Sequence, residues 1–384
     1  MLFVRVLSLI AVVSAGPVLA QSLYTLDGTP TGVEEEIRWR VNRGRFDSAS
    51  ENATRSTSYA DIPASSGPLA PNQMITMAAR HQSEDMAKAN AFQHATVTNS
   101  LFYNYLTQPN PWDRMRAEGY VWSNAGENIA AGYSGAESVY TGWWNSTGHR
   151  VNMYNSALRE IGNGFYFLST ATYRNYYTMD LGSSTGNSFF TDTLFNDANS
   201  NGIYEQSEAV AGVAIRLQVG ITPAAYQDVS ATAGNFAVPI QSIASGATVQ
   251  VVFSNTTAST LTLSIPNDYR NYSTVTLGAN QSRIYGTFVR PSTAANVGLR
   301  SLTPTPVQVP LVASPLGIST SGNNVVLRWN SDAALEYQPQ CSTNMTVWTG
   351  LTNGFLHGTG GTMSYTDSAS GPGGKLYRLQ IRQP

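Results

Sequence analysis

Apolar and polar positions change period twice along this chain. The run GVEEEIRWRVNRGR, residues 32–45, predicts a first helix with acids early and arginines late, as the helix dipole favours. A polar stretch rich in Ser, Ala and Pro follows to about Pro68. A second helix is expected from about Pro71 to Ala89, with Met74, Met77, Ala78 and His81 sharing the inward face. PWDRMRAEGY predicts a short third helix with Trp112 and Met115 inward. Ala136 to Asn145 predicts a fourth, packed through Val139, Trp143 and Trp144. Ser146-Thr147-Gly148 reads as a turn that brings His149 back towards the end of that helix. GNGFYFL and NYYTMDLGS alternate as strands and close an α/β sandwich near residue 186.

Beyond Gly186 helical periodicity fades. Short runs such as VAIRLQV, TVQVVF, TLTLSI and TVTL, separated by turn residues, predict a β-sandwich. Residues 290–316, rich in Pro, Ser and Thr, read as a linker or an edge. A last β module runs from about Leu316, with Trp329 and Trp348 as expected core residues. The resulting division is 1–20 for a leader, 30–186 for the α/β module, 187–290 for the first β module, 291–315 for the linker and 316–384 for the last module.

Composition narrows the classes. Of 384 residues, 42% are apolar and 12% charged, enough for several cores. The formal charge of −2 is spread thinly without a basic patch, which argues against nucleic acid as a partner. Residues 1–20 have Arg5, an apolar run from Val6 to Ala15, and Val18 and Ala20 where a signal peptidase reads, so export is expected. No later apolar run approaches the roughly 18 residues of a membrane helix. Cys341 stands alone, so no intramolecular disulfide forms, which points to a bacterial exported protein. It is expected as a buried strand residue, the alternatives being a free reactive thiol or one that pairs between chains.

Candidate chemistry begins with Glu127, in an expected Gly-Glu-Asn turn, and His149 beside Arg150, with His94 upstream in NAFQHAT. Each has a structural alternative: a turn carboxylate accepting backbone amides, an imidazole capping helix carbonyls, and for His81 a satisfied core histidine. Ser146 lacks the surroundings of a nucleophile.

Taken in order, VNRGR, AARHQSEDMAKANAFQHA, DRMRAEGY, AGENIAAG, WWNSTGHRVNM, IGNGF and YYTMDLG resemble the CAP domain of the cysteine-rich secretory, antigen 5 and pathogenesis-related proteins, in its bacterial disulfide-free form. The resemblance spans residues 30–186 and implies an α-β-α sandwich with a central cleft. In better-known members two histidines and two glutamates there hold a divalent metal. His94 matches the first of those histidines and Glu127 the glutamate of the Gly-Glu-Asn motif. Ser146 stands where the second glutamate is expected and Tyr176 where the second histidine is expected. His149 would then supply the second imidazole, giving a candidate catalytic or zinc-type set of His94, Glu127 and His149.

A second motif is independent of that family. Asp197, Asn199, Asn201, Glu205 and Glu208 occupy positions 1, 3, 5, 9 and 12 of a calcium loop, with Gly202 at position 6 and the Ile203 carbonyl at position 7. The alternative is a metal-free Asn/Asp/Gly loop. Strand-like flanks make the module similar to calcium-binding transthyretin- or immunoglobulin-like modules of bacterial surface proteins. The asparagines lower the charge and place calcium affinity on the order of 10⁻⁴ to 10⁻³ M.

The expectation is therefore a CAP-type α-β-α sandwich followed by two all-β, Ig-like modules. It would be secreted, at the cell surface or in the periplasm, and would bind a small hydrophobic, glycan or cell-wall ligand, with surface attachment through the β modules. A metal-dependent hydrolase or peptidase, with Glu127 as base, and a structural adhesin with a vestigial cleft are the alternatives.

Overall fold

The computed structural model describes residues 27–220, 226–308, 316–322, 324–331, 336–344, 346–359, 361–368 and 375–382. The expected leader, residues 1–20, lies outside them. The first module orders as α1 (Gly32–Phe46), α2 (Ser48–Thr54), β1 (Ala70–Pro71), α3 (Gln73–Ala89), α4 (Pro111–Ala117), β2 (Asn124–Ala131), α5 (Ala136–Trp144), α6 (Thr147–Tyr154), β3 (Glu160–Phe167) and β4 (Asn175–Ser183). A capping box holds the start of α1, where the Thr31 N–H donates to Glu34 at 2.7 Å. Asn72 caps α3 with its side-chain oxygen, and α3 ends at Asn90 in the left-handed region. Pro71 precedes this helix, in β1 beside Ile161 of β3.

The sheet has the order β1-β3-β4-β2. Period-two alternation along β4 sends Tyr177, Met179 and Leu181 to a core with α1, α5 and α6, and Tyr176 to a smaller one with α3. The result is a helix-sheet-helix sandwich. Two glycines of β3 set how deep α3 lies. A Cβ on Gly162 would stand 2.1 Å from the Thr76 nitrogen, and one on Gly164 2.2 Å from the Ala79 carbonyl carbon. Helix backbone therefore rests directly on strand backbone.

Four local expectations are corrected. Glu127 lies inside β2, opposite Asp180 of β4, and not in a turn. Ser146 begins a further helix, so His149 sits in the first turn of α6. On α3, Met74 is 41% exposed and the inward stripe is built from Ile75, Ala78 and Ala79. On α4, Trp112 is 39% exposed while Arg114 is fully buried beside Met115. In each helix the true stripe is rotated by one position, because small or cationic residues fill inward places that bulk alone assigns to Met and Trp.

The second module contains β5 (Phe189–Thr193), β6 (Val213–Val219), β7 (Tyr226–Val229), β8 (Asn235–Pro239), β9 (Thr248–Asn255), β10 (Leu261–Pro266), β11 (Tyr272–Leu277), β12 (Ser282–Val289) and β13 (Thr303–Gln308). A five-stranded sheet, β13-β12-β9-β6-β7, and the pairs β10-β11 and β5-β8 enclose one apolar core with Phe190, Ile215, Phe236, Val251 and Leu263. Part of the expected linker belongs here: Val297, Leu299 and Leu302 enter that core, and β13 pairs with β12.

The last module has β14 (Gly317–Ser321), β15 (Asn324–Asn330), β16 (Glu336–Ser342), β17 (Thr349–Gly350), β18 (Leu356–His357), β19 (Thr362–Ser368) and β20 (Leu376–Arg382). Trp329 is buried with Leu327 and Tyr337. Trp348 is half-buried under the Arg378 guanidinium, 4.3 Å from the ring centroid, and so is not a core residue. Cys341 is half-buried in β16.

The first two modules are fused along a seam. Trp39 of α1 packs on Phe195 and Tyr204 of the second module, with ring centroids 6.1 and 6.3 Å away. The Arg38 guanidinium binds Glu35 and donates to the Asp192 carbonyl at 2.9 Å and the Thr193 hydroxyl at 3.0 Å. The Tyr269 hydroxyl donates to Glu51 of α2, and the Asn296 amide reaches the carbonyls of Pro68 and Arg159.

Candidate functional site

Strand β2 lies at the edge of its sheet, and this brings the candidate residues together. Consecutive side chains on a strand point to opposite faces. Glu127 faces α3 and α4, while Asn128, fully buried, faces α6 and donates to the His149 carbonyl at 3.0 Å. Asn152 of α6 reaches the Asn128 side chain at 3.0 Å and the Glu127 carbonyl at 3.3 Å. His94 therefore approaches from one face of β2, and α6, which carries His149, packs on the other.

Glu127 is the hub. One oxygen lies 2.7 Å from His94 Nδ1, and the other accepts from Arg114 at 2.6 Å. Arg114 also donates to the His94 carbonyl at 3.0 Å and the Thr96 hydroxyl at 3.1 Å, so one buried guanidinium sets both the carboxylate and the segment that carries the imidazole. The Glu127 hydrogen bond raises the His94 pKa above its ordinary value. His149 moves the opposite way, through burial and then the charge of His94. At any pH between their two midpoints His94 is the cation and His149 the neutral ring.

Asp180 completes the cluster. It is fully buried opposite Glu127, and neither of its oxygens has a nitrogen donor. Burial, with the adjacent Glu127 charge, pushes its carboxyl well above the usual range.

Sequence reasoning named His94, Glu127 and His149 and missed Arg114, Asp180, Asn128 and Asn152. Asp180 had a signal, since it alternates with Tyr176 and Thr178 on one face of TYRNYYTMDLG. Arg114 had one only in hindsight, as an arginine on the inner face of a short helix. His81, on the same side of the sheet, bonds Glu118 at 2.9 Å, stacks on Phe102 with centroids 3.8 Å apart, and is not in the Glu127 cluster.

A zinc-type site needs three or four converging ligands. Both Glu127 oxygens are engaged by His94 and Arg114, which leaves two imidazoles. Among the described residues no three His, Cys, Asp or Glu groups are gathered to hold a metal.

The loop of residues 197–208 is arranged differently. Asp197 accepts the backbone amides of Asn201 and Gly202 at 3.0 Å each, and Gly202 takes the positive φ of +69° that position 6 needs. The side-chain amides of Asn199 and Asn201 donate to Glu205 at 3.2 and 2.9 Å. One oxygen of Glu208 accepts from the Ala198 amide at 3.0 Å, and its other oxygen is buried without a partner. Burial first, then the charges of Glu205 and Asp197, raise the Glu208 carboxyl. Among the described residues no arginine or lysine forms an ion pair with the three acids of this loop.

The family model of the cysteine-rich secretory proteins, named CAP, matches residues 40–181. Among curated proteins, the uncharacterized protein YkwD of Bacillus subtilis is 36% identical over 98 residues, covering 26% of this chain and 35% of that protein. The uncharacterized membrane protein YlbC of the same organism is 37% identical over 99 residues, covering 26% and 24%. This chain thus spans about a third and a quarter of the lengths of those relatives. Among solved structures, an extracellular protein containing an SCP domain from Bacillus anthracis is 25% identical, covers 40% of this chain and 41% of its own, and has a TM-score of 0.29. An outer surface protein of Borrelia burgdorferi is 16% identical, covers 39% and 90%, and has a TM-score of 0.27. No helix among the described residues is long and apolar enough to cross a membrane. The matched segment starts within α1, ends in β4 and contains His94, Arg114, Glu127, His149 and Asp180: residues 40–181 of this chain are a CAP domain.

Proposed function

We propose that this CAP domain binds a small sugar-containing ligand, such as a cell-wall fragment, beside His94, on a chain exported to the cell exterior. The observation that carries the reading is the surface around the imidazole. Phe92, two residues before His94, is 49% exposed and packs at a tilt on Tyr173, itself 48% exposed, at 6.1 Å between centroids. Leu101, Tyr105 and Leu106 of the following segment are also exposed, while the Phe102 ring is stacked on His81. Open aromatic faces beside hydrogen-bonding rings suit a sugar, which offers both C–H faces and hydroxyls. Binding is favoured over turnover because Glu127, the carboxylate expected to act as base, has both oxygens held by Arg114 and His94. The extracellular and surface descriptions of the solved relatives, and the leader-like residues 1–20, support the location.

Calorimetric titration of the full chain with soluble peptidoglycan fragments tests this. Saturable binding that weakens about tenfold in His94→Ala and in Phe92→Ala is expected, the scale of one lost stacking or charged hydrogen-bond contact. Binding unchanged in both variants, or absent in the parent, sinks the reading.

The loop of residues 197–208 is proposed as a calcium site, held by Asp197, Asn199, Asn201, the Ile203 carbonyl, Glu205 and Glu208. The unpartnered Glu208 oxygen supports it, as does the absence of a balancing cation among the described loop residues. Three of these six donors are carboxylates and three are amide or backbone carbonyl oxygens, a mixture that calcium accepts. Bound calcium would supply the missing positive charge and stiffen a loop whose Ile203 and Tyr204 pack in the seam against Trp39.

A further inference from the structure

The seam forms an open cavity of about 380 Å³, walled by α1, α2 and α5 on one side and by Ile203 and Arg270 of the second module on the other. That volume lies in the range of small-ligand sites. Its chemistry is cationic. Arg40, Arg43, Arg55 and Arg270 all line it, and Glu137 is the acid among its walls.

The ion balance shows which charge is left over. Arg40 pairs with Glu36 at 2.7 Å and with Glu137; Arg43 pairs with Glu51 at 3.1 Å; Arg55 pairs with Glu51 and, at 3.0 Å, with Glu137. Three carboxylates thus serve three guanidiniums. Arg270 is the fourth. It crosses from the second module to donate to the Thr54 hydroxyl at 2.8 Å, and it pairs with no carboxylate among the described residues. Arg270 is exposed at the mouth, whereas Arg43 and Glu51 are buried at the back.

Glu137 supplies the second observation. Its side chain is 52% exposed, yet its carboxylate bridges Arg40 and Arg55, so an internal anion sits where an external one would be received. Asn145 stands beside it, with its side-chain oxygen accepting from the Tyr59 hydroxyl and its amide left to donate. Guanidinium forks match the planar oxygens of a carboxylate and the tetrahedral ones of a phosphate.

We propose that this inter-module cavity binds the oxyanion group of a small ligand, a carboxylate or a phosphate, through Arg270 and Arg55, with Glu137 as the internal competitor. The site is distinct from the His94 cleft. It exists only when the CAP domain and the second module are joined, because its donors come from both.

The test uses the full chain, calorimetry, and two probes, inorganic phosphate and glucuronate, with ionic strength matched by chloride. Saturable binding of at least one probe is expected. Arg270→Gln, at an exposed position, should weaken it about tenfold, the usual scale of a lost charged hydrogen-bond contact. Glu137→Gln should tighten it several-fold by removing the competitor, an effect that a merely structural role would not produce. Response to phosphate alone assigns a phosphorylated ligand, and response to glucuronate alone an acidic sugar. Binding of neither probe beyond chloride, an Arg270→Gln titration matching the parent, or a Glu137→Gln variant that binds no tighter would each overturn the proposal.

Discussion

In the CAP domain Glu127 is paired from within, by Arg114 and the His94 ring, and burial pushes the carboxyl of its neighbour Asp180 well above the usual range. In the loop of residues 197–208, Asp197, Glu205 and Glu208 are answered only by backbone and side-chain amides, and one Glu208 oxygen is buried with no partner. The contrast lies in where the compensating charge resides. A carboxylate cluster that carries its own guanidinium has little to offer a cation, whereas one compensated by dipoles still has charge to give. Motif matching alone ranks the cleft as the better metal site, and the charge arrangement ranks the loop above it.

The sharpest way to break this comparison is to take away the internal cation. Arg114→Met leaves Glu127 buried without its ion pair, and urea unfolding should show a loss of about 3–5 kcal/mol, the cost of orphaning a buried charge. A loss within about 0.5 kcal/mol, as for a surface substitution, would mean that Arg114 does not neutralise the cleft.

Calcium comes next. At about one hundred times its dissociation constant, a ligand bound only by the folded state adds about 2.7 kcal/mol. Melting should therefore rise with millimolar calcium, fall with chelator and lose its calcium response in Glu208→Gln. Magnesium should give a smaller rise, since it demands a tighter octahedral shell. Identical melting curves with calcium and with chelator would remove the site.

The smallest effect is the opposite titration of the two histidines. His94, raised by Glu127, adds stability at pH values below its unfolded midpoint of about 6.5, and this is lost as pH rises through the higher folded midpoint. His149, lowered by burial, has the reverse sign: stability is reduced at low pH, where its unfolded form binds the proton, and recovers as pH rises. Because the His94 side chain is 54% exposed, the net effect on unfolding should stay below about 1 kcal/mol. Proton NMR titration separates them, with His94 titrating at the higher pH and moving down in Glu127→Gln. Coincident midpoints in the parent would contradict the geometry.

Much of this was legible in the chain. Ordered motifs from VNRGR to YYTMDLG carried the CAP domain, and the oxygen spacing from Asp197 to Glu208 carried the loop. Arg114 and Asp180 were harder, because a charged residue on a short segment reads as solvent-facing unless its partner is known. Arg114 finds Glu127 across a turn and a strand, and Asp180 finds it only through the register of β2 against β4. Glu35 and Arg38 read as an ordinary pair one helical turn apart. They are buried because Asp192 and Thr193, far along the chain, close over them. Local spacing sees the pair and not its lid.

That lid bears on how the domain can be moved between proteins. Trp39 is 1% exposed because Phe195 and Tyr204 cover it, and Glu35 and Arg38 owe their shelter to the same neighbour. A fragment ended at residue 186 would present an indole and a stripped ion pair to water on its first helix. A faithful transplant of this CAP domain into another host would carry residues 187–308 with it, so the smallest exchangeable cassette is larger than the family match that identifies it.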